Sequence, residues 1–386
     1  MTAGTVVYEK NPAPGNLRSG EGAFIDLKNG DILYVFSRFR GEAVLDYQTA
    51  DVASLRSRDG GRTFGEEKIL LSAADEGAEN MMSVSLLRMA DGSVGLFYLI
   101  RETLTRMRMY MRRSFDEGDT WSEKTLCTPE EGFFVVNNDR VVRLSSGRIV
   151  IPAAVHRKGY RAFPGEKGQG FYDSRSECVF FYSDDDGRAW TRSDNKCVLH
   201  DTAYARSGLQ EPGVVELKNG VLYGWARTDL GRQYEMLSLD GGERWTSSQP
   251  SWFTSPNSPL CMKRLPDGRL LAVWNPVPVF NGRSEHVGGA WTGGRTPLVA
   301  ATSRDEGRTF TGLTVLEDAP DRGYCYAAIH PVPDGVLLAY YCGGEQEGNV
   351  FGRSRILHVP DGALSPAEEA GETLPPPVWT QPHPKE

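Results

Sequence analysis

Nowhere in its 386 residues does the chain carry a run of 18 apolar residues, so the sequence contains no membrane-spanning helix signal. Cys-x-x-Cys pairs and zinc-type spacings are missing too. The six cysteines, at 127, 178, 197, 261, 325 and 342, are scattered and read as buried thiols. Surplus positive charge is absent: 43 Lys and Arg stand against 51 Asp and Glu, a net charge of −8, which gives no support to nucleic-acid binding. There is no Gly-rich phosphate cradle and no clustered metal ligands, so neither cofactor nor metal is expected. The opening Met-Thr-Ala-Gly-Thr-Val-Val-Tyr has no charged-then-apolar leader, which points to the cytoplasm. No long window shows helical periodicity.

What the chain does contain is repetition. Five octets follow one pattern, S-x-D-x-G-x-T-W/F. They begin at Ser57, Ser114, Ser183, Ser238 and Ser303 and end at Phe64, Trp121, Trp190, Trp245 and Phe310. Asp and Ser can bond turn backbone, Gly supplies a positive φ, and the last aromatic plugs a core gap. Recurrence every 55 to 69 residues marks a repeat architecture in which these turns are structural. Six hairpin signals interleave with them, ending at Gly30, Gly92, Gly147, Gly220, Gly268 and Gly335, each between apolar runs. Two hairpins per unit give four strands, and six such units give an all-β, six-bladed β-propeller of four antiparallel strands per blade. The N-terminal Thr5 to Tyr8 is expected to complete the sixth blade. The propeller is expected to occupy residues 1–361, with 362–386 a Pro- and Glu-rich tail.

The repeat also indexes the mouth of a central channel. Nine residues before each hairpin glycine stand Glu21, Ser83, Asn138, Glu211, Pro259 and Tyr326. Near the ends of the second strands stand Arg38, Arg101, His156, Arg227, Asn275 and Tyr341. Carboxylates, arginines and tyrosines at equivalent positions do not suit a buried core. They suit a site that handles a small sugar. His156 and His330 lie near ring positions as acid, base or hydrogen-bond donor. Asn138 and Asp139 either hold sugar hydroxyls or tie the third blade to the fourth.

The octet resembles the Asp-box (BNR) repeat of sialidases, and the matches span nearly all six blades. Three further segments are similar to sialidase catalytic motifs. Glu211-Pro-Gly-Val-Val-Glu, followed by Trp225-Ala226-Arg227, resembles the stretch with the glutamate and second substrate-binding arginine. Gly294-Arg295-Thr-Pro-Leu resembles the stretch with the third arginine, and Tyr324-Cys325-Tyr326 the stretch with the tyrosine nucleophile. Inner-strand register favours Tyr326. The resemblance implies a retaining exo-glycosidase in which Glu211 draws the proton from Tyr326 and arginines hold the substrate carboxylate. The general acid falls in the first blade's second loop, at Asp51 or Asp46, with Asp51 preferred.

One departure stands out. Sialidases carry a first arginine on the inner strand of the first blade, where this chain has Gly20 or Glu21, with Arg18 two residues early. The clamp is therefore expected to be incomplete, or rebuilt from Arg38 and Arg140. Sialic acid, a neutral glycoside and a uronic acid all remain candidate substrates. Two other readings compete: a uronate lyase using Tyr326 or His156 as base, and a carbohydrate-binding propeller without turnover.

Overall fold

The computed structural model describes residues 3–158, 172–200, 205–279 and 293–364. After β1 (Thr5–Lys10), a first antiparallel sheet runs in chain order through β2 (Ser19–Asp26), β3 (Ile32–Phe39), β4 (Ala50–Ser57) and β5 (Lys68–Leu71). Helix α1 (Ala73–Glu76) leads to β6 (Asn80–Arg88), β7 (Val94–Thr103), β8 (Arg106–Ser114) and β9 (Thr125–Leu126). The next group is β10 (Phe133–Val135), β11 (Val142–Arg143), β12 (Ile149–Lys158), β13 (Tyr172–Ser183) and β14 (Thr191–Arg192). Two further sheets follow. One is β15 (Gln210–Glu216), β16 (Leu222–Arg227), β17 (Arg232–Ser238) and β18 (Gln249–Thr254); the other is β19 (Cys261–Arg264), β20 (Leu270–Trp274), β21 (Leu298–Ser303) and β22 (Thr311–Glu317). The last contains β23 (Cys325–Val332), β24 (Gly335–Tyr341) and β25 (Ser354–Pro360), then α2 (Asp361–Leu364).

As expected, β1 returns to pair with β25 and completes that last sheet. Hydrogen bonding differs from six separate sheets in one place. β10 pairs in parallel with β8 through Phe133 and Met107, which fuses two groups into a nine-stranded sheet. The reason is local: the chain between β10 and β11, both partners of β12, leaves the ladder and frees the outer edge of β10. Strands of successive groups touch along the chain, β2 to β6, β12 to β15, β15 to β19 and β19 to β23, and β23 touches β2. The core lies between neighbouring sheets. Trp225 packs with Leu270, Trp274 and Val299, while Phe24 and Phe36 pack with Leu337 and Ile356. Leu364, at the start of the expected tail, is buried against the last two sheets; residues 365–386 lie outside the described residues.

All five octets are built alike. In each, the serine Oγ accepts from the glycine N–H four residues on at 2.7–2.8 Å and donates to the aspartate at 2.7–2.8 Å. The aspartate accepts a further backbone N–H four residues ahead at 2.8–3.0 Å.

A second repeated device positions the site. Register slips in β2 between Gly20 and Ala23, in β6 between Met82 and Ser85, in β15 between Gln210 and Gly213, and in β23 between Cys325 and Ala328. Each slip contains a left-handed residue: Glu21 (φ 56°), Ser83 (60°), Glu211 (47°) and Tyr326 (61°). Asp139 (59°) does the same in the break between β10 and β11. Bulges of this kind re-aim a side chain, and each left-handed non-glycine costs about 1–3 kcal/mol.

Candidate functional site

The bulges of β15 and β23 bring Tyr326 and Glu211 together. The Tyr326 hydroxyl donates to Glu211 Oε1 at 2.9 Å, and Arg227 Nη1 lies 2.9 Å from Glu211 Oε2 and 3.1 Å from the tyrosine oxygen. Gln210 steadies Arg227, accepting from Nε and Nη2 at 3.1 and 2.9 Å. Burial, then the Glu211 carboxylate, pushes the Tyr326 hydroxyl well above the ordinary phenol range. The phenol is thus neutral at rest, with its proton already aimed at a carboxylate. Burial pulls Arg227 down, but Glu211 and Tyr326 outweigh it and the guanidinium stays firmly charged. Arg295 completes this side: its guanidinium lies 5.5 Å from the Tyr326 ring centre and donates to Cys325 Sγ and the Asn257 carbonyl.

Across the cavity stands Arg18, buried at 2% exposure. It donates to Asp46 at 2.6 Å, to the Val44 carbonyl at 2.8 Å, to the Tyr341 hydroxyl at 3.1 Å, and to Glu21. Glu21 also accepts from Ser83 Oγ at 3.0 Å, and burial raises its carboxyl despite Arg18. Asp46 sits in the loop between β3 and β4 with its side chain 71% exposed. Its surroundings by themselves would raise it, but Arg18, with Arg227 and Arg295 beyond, holds it below the usual carboxylate range. Arg18, Glu21, Asp46, Ser83, Arg101, Glu211 and Tyr326 line one slot of about 80 Å3, whose wall is apolar at Met82, Leu99, Met107, Phe133 and Val135. No group of three or more His, Cys, Asp or Glu among the described residues is arranged to hold a metal ion.

Several expected site residues lie elsewhere. Asp51 is 1% exposed, pairs with Arg40 and accepts the Ala73 N–H at 2.9 Å. It anchors α1 to β4, and Asp46 takes the place at the cavity. Arg38 points to Glu67 at 2.7 Å, outside the slot. Arg140 donates to the Leu260 carbonyl and lies over the Trp225 ring at 5.6 Å. Neither rebuilds an anion clamp. Asn138 donates to the carbonyls of Gly22 and Tyr326 at 3.0 and 3.3 Å, and so braces the backbone of the tyrosine from behind. Asp139 accepts from Lys263 at 2.6 Å and from the Ile329 N–H at 2.9 Å, tying its bulge to β19 and β23 rather than to the fourth unit. His156 stands behind Phe133, edge to face at 6.0 Å, and burial lowers it to about 4. His330 is near the far end of β23, stacked on Phe24 and bonded to Asp26 at 3.1 Å.

Arg18 is the residue that motif reading undervalued. The slip at Gly20–Ala23 changes the strand register, so a residue two places early still reaches the cavity. No sequence signal marks it, because the left-handed positions that shift the register are set by the folded backbone. Gly20 supports the arrangement directly, since a Cβ there would meet the Tyr341 ring at 2.6 Å.

Comparison with known proteins bears on the fold and the family. The chain is 26% identical over 250 residues to the anhydrosialidase of Macrobdella decora, which is 60% of this chain but only 29% of that protein. Among solved structures, the Hadza microbial sialidase Hz136 superposes with a TM-score of 0.67 at 16% identity, over 91% of this chain and 67% of its own. The intramolecular trans-sialidase from Ruminococcus gnavus superposes with a TM-score of 0.63 at 16% identity, over 93% of this chain and 98% of its own. At these identities the structural matches establish the all-β fold. The model of the BNR repeat-like domain matches residues 43–342, and the chain belongs to that family.

Proposed function

We propose that this protein is a retaining exo-glycosidase that releases a terminal acidic sugar of the sialic acid type, using Tyr326 as nucleophile. The observation that carries the reading is the 2.9 Å hydrogen bond from Tyr326 to Glu211, with Arg227 and Arg295 beside it. A neutral oxygen nucleophile suits an anomeric carbon that bears a carboxylate, because a carboxylate nucleophile would be repelled. In the first step the Tyr326 oxygen attacks the anomeric carbon and its proton passes to Glu211. The glycosidic bond breaks, and its oxygen takes a proton from Asp46. In the second step water attacks the same carbon, gives its proton to Asp46, and Tyr326 leaves and recovers its own proton from Glu211.

Arg227, Arg295 and Arg18 are the anion-binding groups in this reading. They also govern the acid. Arg18 holds Asp46 ionised in the free protein, whereas a general acid must carry a proton. A bound substrate carboxylate would draw on the same guanidinium charge and let the Asp46 carboxyl rise toward protonation. Neutral glycosides would leave Asp46 ionised, which favours an acidic sugar over them. For the fold, a six-bladed propeller spanning residues 1–361 accommodates the hairpin count, the β1–β25 pairing and the succession of touching groups of strands.

A second product is favoured by the anhydrosialidase relative: attack by a hydroxyl of the bound sugar, in place of water, releasing an anhydro sugar. The test is turnover of α-sialosides, uronides and neutral aryl glycosides by wild type and Tyr326→Phe, with products weighed by mass spectrometry. The expected result is sialoside turnover that the variant loses on the order of 10³-fold or more. A product one water lighter than the free sugar and without ultraviolet absorbance identifies the intramolecular route; an absorbing product of that mass marks elimination instead. Equal turnover by both proteins removes Tyr326 as nucleophile.

A further inference from the structure

A bulge takes the residues inside it out of the ladder, and their carbonyls must find other partners. In β2 the register omits Glu21 and Gly22, and in β23 it omits Tyr326 and Ala327. Asn138 serves both places. Its side-chain amide donates to the Gly22 carbonyl at 3.0 Å and to the Tyr326 carbonyl at 3.3 Å. The next two residues reach a third bulge. The Asp139 N–H bonds the Val84 carbonyl at 2.9 Å, and the Arg140 N–H bonds Ser85 Oγ at 2.9 Å, just after the left-handed Ser83 of β6. Asp139 Oδ2 also accepts the Ile329 N–H at 2.9 Å, further along β23. Three consecutive residues between β10 and β11 thus tie together the bulges of β2, β6 and β23.

We propose that Asn138 is a positioning residue for the nucleophile: it fixes where the Tyr326 hydroxyl stands without touching the substrate. The inference rests on the glycosidase reading above. Asn138 is 1% exposed, and the slot is lined by its neighbour Asn137 rather than by Asn138 itself. Its effect on the reaction therefore passes through the backbone it holds. At Tyr326 that backbone is left-handed, a conformation that a tyrosine keeps only while its surroundings over-determine it. Relaxing it would swing the ring, and with it the hydroxyl that bonds Glu211 at 2.9 Å. Because the same amide holds Gly22, next to Glu21, it also ties the Glu21 side of the slot to the Tyr326 side. Only an amide suits the place. Two carbonyls need two donor hydrogens on one atom, which a carboxyl, a hydroxyl or an alkyl group of that size lacks.

The test is a double-mutant cycle. Wild type, Asn138→Ala, Tyr326→Phe and the double variant are assayed on an aryl α-sialoside, with the folded fraction of each set by chemical denaturation. The expected result for Asn138→Ala is a fall in kcat of about 10- to 100-fold with KM changed less than about three-fold, because the arginines that hold the sugar are untouched. In the Tyr326→Phe background the same change is expected to lower the residual turnover no further, since the group it positions is already gone. Asn138→Asp, which keeps the size but not both donor hydrogens, carries the measurement if the alanine variant does not fold. An unchanged kcat, an equal loss in both backgrounds, or a loss confined to KM overturns the positioning role and leaves the glycosidase reading intact. Failure of wild type to turn over the sialoside overturns that reading, and this role with it.

Discussion

At the scale of single residues, the cavity assigns different work to chemically similar carboxyls through their neighbours. Glu211 faces a tyrosine hydroxyl and Arg227, Glu21 is locked between Arg18 and Ser83, and Asp46 is paired with Arg18 yet open to solvent. The open one is suited to exchange protons with a leaving group. Asp46→Asn should therefore lower kcat/KM by about 10²–10⁴-fold on sialosides with alkyl or sugar leaving groups. On an aryl sialoside with an acidic leaving phenol the loss should be much smaller. A loss in kcat/KM that is independent of the leaving group would remove Asp46 from the acid role. Tyr326 and Glu211 were legible as ring positions because both stand nine residues before a hairpin glycine, and a count along one strand survives folding; only the sialidase resemblance singled them out as a pair. Asp46 was not preferred over Asp51, because their roles depend on where a loop crosses the cavity. Asp51 lies in β4, opposite Arg38, and its own strand carries it to Arg40 and α1.

At the scale of elements, the inner-strand bulges and the repeated turns do separate jobs. The bulge of β15 is held by close packing: a Cβ on Gly213 would meet the Trp225 ring at 2.2 Å, and Trp225 is 1% exposed. Gly213→Ala should cost about 1–3 kcal/mol of stability. It should also lower activity beyond that loss, because Glu211 rides on the same bulge; chemical denaturation and kinetics on the folded protein separate the two effects. The turns respond to acid instead. Asp59 and Asp116 are each held at about 2, first by the Thr63 and Thr120 hydroxyls. An unfolded Asp titrates near ~3.9, so each turn contributes stability that is present above that value and is lost as pH falls toward 2. Melting temperature should drop across this window, and Asp59→Asn should flatten part of the drop. The turns were fully legible, since every bond in them joins residues no more than four apart. The fusion through β8 and β10 was not, because a single parallel bridge leaves no periodic mark.

At the scale of the whole molecule, the last sheet is assembled from both ends of the chain. β1 pairs with β25, and Glu9 accepts from Arg353 and Arg355 at 3.3 and 2.7 Å. Removal of residues 1–10 should expose the edge of β25, lower the melting temperature by several degrees and promote association, as calorimetry and light scattering would report. An unchanged melt would mean that the outer strand contributes little. The repeated turns, the hairpins and the all-β class follow from residues close in sequence, so the amino-acid order alone established them. The cavity does not have that origin. Tyr326 meets Glu211 across 115 positions, and Arg18 meets Tyr341 across 323. Such meetings depend on how successive sheets pack and on bulges that turn a side chain by one register. Those are properties of the packed backbone, so only the tertiary structure could return Arg18 to the site and remove Arg38, Arg140, Asp51 and His330 from it.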